Sequence, residues 1–195
     1  GSGMFKKMKV KMEKISEYKP GIEVKRVLPE AVGANNNYIE RFMKSAIKDS
    51  AWPGGVLLAA KNGNIFYHKG HGYHTYKSKK PVRSSDIFDL ASITKVISTT
   101  SGIMKLVDKN KIDLDKPVVS YLPNFKGKKK KYKKQKSEIT VRDLLSHSSG
   151  LPAFKQYFKM KKTREVILEN IYDTQPVREK GDTTIYSDVG AIILG

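Results

Sequence analysis

The chain has 195 residues, with 38 Lys and Arg against 19 Asp and Glu, giving a formal net charge of +19; this length suits one domain, or one and part of another. Hydrophobic residues make up 38% and aromatics 9%, enough apolar material for a core, so the charge does not imply wholesale disorder. Cysteine is absent, which excludes disulfides, thiolate metal sites and a cysteine nucleophile, and no apolar run reaches the ~18 residues of a transmembrane helix.

The opening Gly1-Ser2-Gly3 reads as a cloning scar, with any signal peptide already removed. A basic stretch follows from Lys6, and residues 4–34, with Pro20-Gly21 and Pro29, show no sustained period. Residues 1–30 are therefore expected to be a tag and basic leader, and 31–195 the folded part. Asn35-Asn36-Asn37 offers helix caps, and Ile39, Phe42, Met43, Ala46 and Ile47 then share one helical face. Pro53-Gly54-Gly55 is expected to stop that helix. Val56–Ala60 and Ile65–His68 read as two strands joined at Asn62-Gly63, a strong two-residue hairpin signal. Together 31–80 form a first helix and hairpin, ending in a loop rich in Gly, His and Lys.

From 81 onward the pattern turns helical. Ile93, Val96, Ile97, Ile103, Met104, Leu106 and Val107 recur at helical spacing, predicting a mostly apolar helix over 93–107. Residues 113–123 read as extended or turn-like. Residues 126–136, KGKKKKYKKQK, hold eight lysines in eleven positions and are expected to be a solvated surface loop. Such a run can hold an anionic cell-wall polymer or another polyanion through counterion release, whereas Tyr132 is its lone aromatic, so a dedicated nucleic-acid site is not expected. Short helices are expected over 140–145 and 163–172, and a last apolar segment over 189–194.

A serine followed three positions later by a lysine puts a hydroxyl and an amine one helical turn apart. A neutral lysine can then take the serine proton and activate the oxygen for acyl transfer. The pattern occurs three times, at Ser16/Lys19, Ser45/Lys48 and Ser92/Lys95. Ser16 lies in the polar leader. Ser45 and Lys48 turn away from their helix's apolar face, into water, where lysine stays protonated. Ser92 follows the apolar stretch 87–91 and opens an apolar helix, where backbone N–H groups favour developing negative charge. Lys95 lies at the edge of that helix's buried face beside Thr99 and Gly102. On the local pattern alone Ser92 also reads as a plain N-cap.

Four blocks decide between these readings: Phe88-Asp89-Leu90-Ala91-Ser92-Ile93-Thr94-Lys95; Lys111 to Val118 with Tyr121-Leu122-Pro123; Thr140 to Pro152, containing Ser146-His147-Ser148-Ser149-Gly150; and Tyr186-Ser187-Asp188 running to Gly195. In this order and spacing, from about Pro29 to the end, they resemble the class C β-lactamase and penicillin-binding-like serine hydrolases, a family of β-lactamases, D-alanyl carboxypeptidases, aminopeptidases and esterases. The resemblance implies that Ser92 is the nucleophile of an acyl-enzyme, Lys95 its proton acceptor, and Tyr186 the phenol that shares protons with Lys95 and the leaving group. Asp188, a substrate-binding position, stands where the motif usually has Asn; an ionised Asp188 favours the Lys95 ammonium, which moves the proton-accepting role toward Tyr186 or requires Asp188 to be protonated.

The resemblance further implies an α/β fold of the β-lactamase/transpeptidase type: part of an antiparallel sheet flanked by helices, with an inserted, mostly helical subdomain. It implies a small-molecule or peptide substrate (a D-amino-acid peptide, a β-lactam or an ester), no metal or organic cofactor, and a periplasmic or extracellular location. The family's third motif, Lys/His-x-Gly, lies on a later strand that supplies one oxyanion-hole donor, a group typically worth about 10²–10³ in rate. It has no counterpart up to Gly195, so the chain is expected to be the front part of such a hydrolase, completed by a second chain or a further C-terminal segment and nearly inactive alone. The rivals are a non-catalytic module of the same fold that binds peptidoglycan peptides, and a basic polyanion binder. The block around His147 reads as a structural turn beside the cleft, and His68, His71 and His74 as hairpin surface histidines more readily than as a metal site.

Overall fold

The computed structural model describes residues 24–195; the Ser16/Lys19 pair, the basic stretch from Lys6 and Pro20-Gly21 lie outside them. The described residues form two compact units, one up to Phe88 and one from Asp89.

The first unit is a helix with a small mixed sheet. Strand β1 (Lys25–Arg26), read from the sequence as leader, pairs parallel with strand β3 (Asn64–Gly72), which in turn pairs antiparallel with strand β2 (Gly54–Lys61). The β2–β3 turn takes Asn62 and Gly63 at φ 52° and 75°, the left-handed pair that matches strand twist in a two-residue hairpin. Helix α1 (Asn36–Lys48) begins where the Asn35 side chain accepts the Tyr38 N–H at 2.9 Å. It ends at Asp49 rather than at Pro53-Gly54-Gly55, whose glycines already belong to β2. Met43 is buried, whereas Phe42, expected on the same face, is exposed and stacks on Tyr38. Gly70 is required by closeness: a Cβ there would sit 2.3 Å from the Val82 carbonyl oxygen.

The second unit is helical. A π-helical segment, Lys95–Thr100, leads into helix α2 (Ser101–Asp108). Helices α3 (Lys130–Glu138), α4 (Val141–Leu145), α5 (Arg164–Tyr172) and α6 (Asp188–Leu194) follow. Phe125, Ile139, Leu144 and Val189 are nearly or wholly buried at the centre of its core, each such side chain contributing about 1.5–3 kcal/mol. Helix α4 is fixed by a capping box in which Thr140 and Asp143 satisfy each other's backbone N–H groups, the arrangement that this spacing favours.

Of the apolar residues over 93–107, Ile103 enters the core, whereas Ile93, Val96, Ile97 and Met104 are exposed, because only one side of this segment meets the remainder of its unit. One expectation is corrected. The lysine run is not a loop: residues 130–138 form α3, and Lys136 is 1% exposed. Its ammonium donates to the carbonyls of Tyr172 and Thr174 and lies 4.6 Å from the Phe125 ring centroid. That anchor turns the inner side of the run into core. Among the described residues no helix is long and apolar enough to cross a membrane.

Candidate active site

Of the two described Ser-x-x-Lys pairs, Ser45 and Lys48 are exposed, and Ser45 donates its hydroxyl to Asp49. Ser92 and Lys95 are placed differently. The Asp89 carboxylate accepts the Ala91 N–H at 2.8 Å, and Ala91 takes φ 42°, a left-handed conformation that costs a non-glycine residue about 1–3 kcal/mol. Tight turns follow, Ile93 N–H to the Leu90 carbonyl and Lys95 N–H to the Ser92 carbonyl. The chain then widens into the π segment, whose geometry is reinforced by the hydroxyls of Thr100 and Ser101 bonding carbonyls five residues back. Such π turns recur at functional sites. Helical residues begin directly after Ser92, at Ile93, and the Ser92 hydroxyl pairs with a side chain.

That side chain is Lys95. Its ammonium donates to Ser92 Oγ at 3.0 Å and lies 2.8 Å from Asp188 Oδ1, an oxygen closed off from solvent. It also stands 5.2 Å from the Tyr186 ring centroid. Asp188, by hydrogen bonding, and then the Tyr186 phenol hold the Lys95 ammonium above its ordinary pKa. The Tyr186 phenol is held below its own ordinary value, first by its hydrogen bond to Lys95 and then by that to Ser92. The two shifts have one cause: positive charge on Lys95 and negative charge on its oxygen neighbours stabilise each other.

Tyr186 and Asp188 are held by the Ser146–Pro152 block. His147, at φ 57°, accepts the Ile185 N–H on its carbonyl at 2.9 Å and the Ser187 N–H on Nδ1 at 3.1 Å. Its ring packs against Tyr186 with centroids 4.8 Å apart. Ser187 caps α6 by accepting the Gly190 N–H and donates to the Pro152 carbonyl at 2.8 Å. The Asp188 N–H goes to the Ala153 carbonyl, also at 2.8 Å. Three of the four sequence blocks thus converge. The second, Lys111–Pro123, does not reach Ser92: Val118 enters the core, and the Tyr121 hydroxyl accepts the Asp113 N–H.

A family model described as Beta-lactamase matches residues 36–195. The chain belongs to the β-lactamase family.

Within that family it is 31% identical to a Bacillus subtilis N-acetylmuramyl-L-alanine amidase, over 75% of this chain and 36% of the relative. It is 32% identical to a Salmonella typhimurium protein provisionally assigned as a D-alanyl-D-alanine carboxypeptidase, over 86% of this chain and 42% of the relative. The chain therefore spans about two fifths of the length of the curated relatives it matches. Among solved structures, the octameric penicillin-binding protein homologue from Pyrococcus abyssi superposes with a TM-score of 0.64 at 26% identity, covering 82% of this chain and 37% of that one. The fold is that of β-lactamases and transpeptidases, an α+β arrangement with a small mixed sheet.

The histidines of the first unit take separate partners in this β-lactamase-family chain. His68 Nδ1 faces Arg26 at 3.4 Å, buried His71 bonds the Tyr67 hydroxyl at 2.8 Å, and His74 pairs with Asp86 at 2.9 Å. Among the described residues no group of three or more such side chains is placed to hold a metal ion. Sequence reasoning passed over Asp89, whose turn presents Ser92. Its signal was available: an Asp two residues before a strained position commonly closes an Asx turn.

Proposed function

We propose that the chain provides the nucleophilic centre of a serine hydrolase that works through an acyl-enzyme, with Ser92 as nucleophile, Tyr186 as proton acceptor, Lys95 as a fixed ammonium and Asp188 as the residue that holds Lys95. The observation that carries this reading is the Lys95 ammonium, bonded to Ser92 Oγ at 3.0 Å while 2.8 Å from Asp188. An ammonium so paired is a poor base, but it stabilises a phenolate beside it.

The steps follow from that charge arrangement. Lys95 donates to Ser92 Oγ, which leaves the serine proton free to pass to the ionised oxygen of Tyr186. Oγ attacks the acyl carbon, and the scissile C–N or C–O bond breaks as Tyr186 returns the proton to the leaving group. The acyl group remains as an ester on Ser92. In the second half Tyr186 takes a proton from water, hydroxide adds to the ester carbon, and Ser92 leaves with the proton restored. Ala91 and Asp89 present the serine; the Ser146–Pro152 block positions the phenol.

The substrate class is a D-amino-acid peptide, a β-lactam or an ester, acted on outside the cytoplasm. The D-alanyl-D-alanine carboxypeptidase name of one relative supports the first of these. The test is covalent labelling with a fluorescent penicillin and with a fluorophosphonate, each compared in the parent and Ser92→Ala. Labelling that disappears in Ser92→Ala supports the enzyme. Saturable binding of a muropeptide with no adduct supports instead a non-catalytic module of this fold.

A further inference from the structure

We propose that the outer face of α3 is a binding surface for a linear phosphodiester polymer that carries no bases. The run 126–136 supplies eight of the chain's lysines and no acidic residue. Advancing 100° per residue, Lys130, Lys131 and Lys134 fall within about 100° of one another, and Lys136 points the opposite way. The structure follows that division: these three and Lys129 are exposed, and Lys136 is buried against the carbonyls of Tyr172 and Thr174. Anchoring the inner lysine therefore forces the others outward on one surface.

That surface carries one carboxylate, Glu138 at the C-terminal end of α3, against its several ammonium groups. Among the described residues Lys128 alone of the run pairs with a carboxylate, Glu169 at 3.4 Å, and that pair is largely exposed. Lys130 and Lys134 repel at i and i+4, and the first turn of α3 places positive charge at the positive end of the helix. A polyanion relieves both. Its chemistry is constrained by what accompanies the lysines. Ammonium groups are point charges without the planar fork by which Arg reads carboxylates and base edges. Gln135 is turned inward to the Arg178 carbonyl, and Tyr132 is half-buried under Lys131, so no side chain remains to read or stack bases. Among the described residues no large exposed hydrophobic side chain lies within or next to the run in sequence to enter a bilayer, and Phe125 is wholly buried. The adjoining hollow is lined by Lys126, Lys128 and Lys133 together with Glu169 and Asp173, so most of its charge is matched within it, and the excess positive charge lies on the exposed face.

The test is a salt titration of binding between the full chain and fluorescent poly(glycerol phosphate). Four contacts predict a log K against log salt slope near −3, at about −0.7 per neutralised charge. The triple variant Lys130→Gln/Lys131→Gln/Lys134→Gln is expected to bind at least 10-fold more weakly near 0.1 M salt, with a slope shallower by about 2, while melting like the parent. Each single Gln variant should lose about 0.7 of slope, and Lys159→Gln/Lys161→Gln/Lys162→Gln none. Ser92→Ala should bind as the parent does, which separates this proposal from the acyl-enzyme reading. Parent-like binding by the triple variant overturns the proposal. So does tighter binding of an equally charged single-stranded oligonucleotide or of phosphatidylglycerol vesicles.

Discussion

Asp188 Oδ1 lies 2.8 Å from the Lys95 ammonium, which in turn donates to Ser92 Oγ at 3.0 Å. A carboxylate and the serine hydroxyl thus share one amine, and the carboxylate favours its charged form.

The first prediction concerns that carboxylate. Asp188 raises the Lys95 pKa by hydrogen bonding and by charge, and its negative charge also raises that of Tyr186. Asp188→Asn removes both effects, so the neutral amine and the phenolate each become accessible at lower pH. The pH profile of fluorophosphonate labelling should move toward acid. A profile superimposable on the parent's contradicts this electrostatic role.

His147 tests the platform beneath Tyr186. His147→Phe keeps a ring against the phenol but removes the acceptor for the Ser187 N–H, a loss of about 1–2 kcal/mol. The second-order labelling rate should fall by about 10-fold. His147→Asn retains an acceptor and suits the positive φ, so it should label at a rate nearer the parent's. Equal rates for the Phe variant and the parent refute the assignment.

Lys136 makes stability depend on alkaline pH. Burial lowers its pKa to about 8 from the ordinary 10.5. Between those values the unfolded chain binds the proton and the folded one does not, so stability rises with pH across that window, by about 3 kcal/mol at most. Denaturant unfolding at pH 7.5 and 10 checks the sign. Lys136→Met, which keeps the volume, should flatten the rise; an equal rise in that variant assigns it to other groups.

Much of this was legible where a residue type carries its own geometry. Asn35 announced its helix because a short polar side chain at an N-cap satisfies a free N–H, and Asn62-Gly63 announced the hairpin because those residues tolerate positive φ. Ser92, Lys95, Tyr186 and Asp188 were named together only through resemblance; their spacing of about 90 residues holds no local periodicity. The lysine helix was illegible for a similar reason. What buries Lys136 is a pair of carbonyls 36 and 38 residues downstream, and a run of like charges gives no hint of them. The exposed Ile93, Val96 and Ile97 show the reverse failure: helical spacing identifies an apolar face but not what it meets.

The most direct measurement is peptide mapping of the full chain after fluorophosphonate treatment at mildly alkaline pH. The account predicts a single stoichiometric adduct on the peptide containing Ser92, lost in Ser92→Ala and slowed in Tyr186→Phe. An adduct on another serine, or an unmodified Ser92 at saturating reagent, contradicts it.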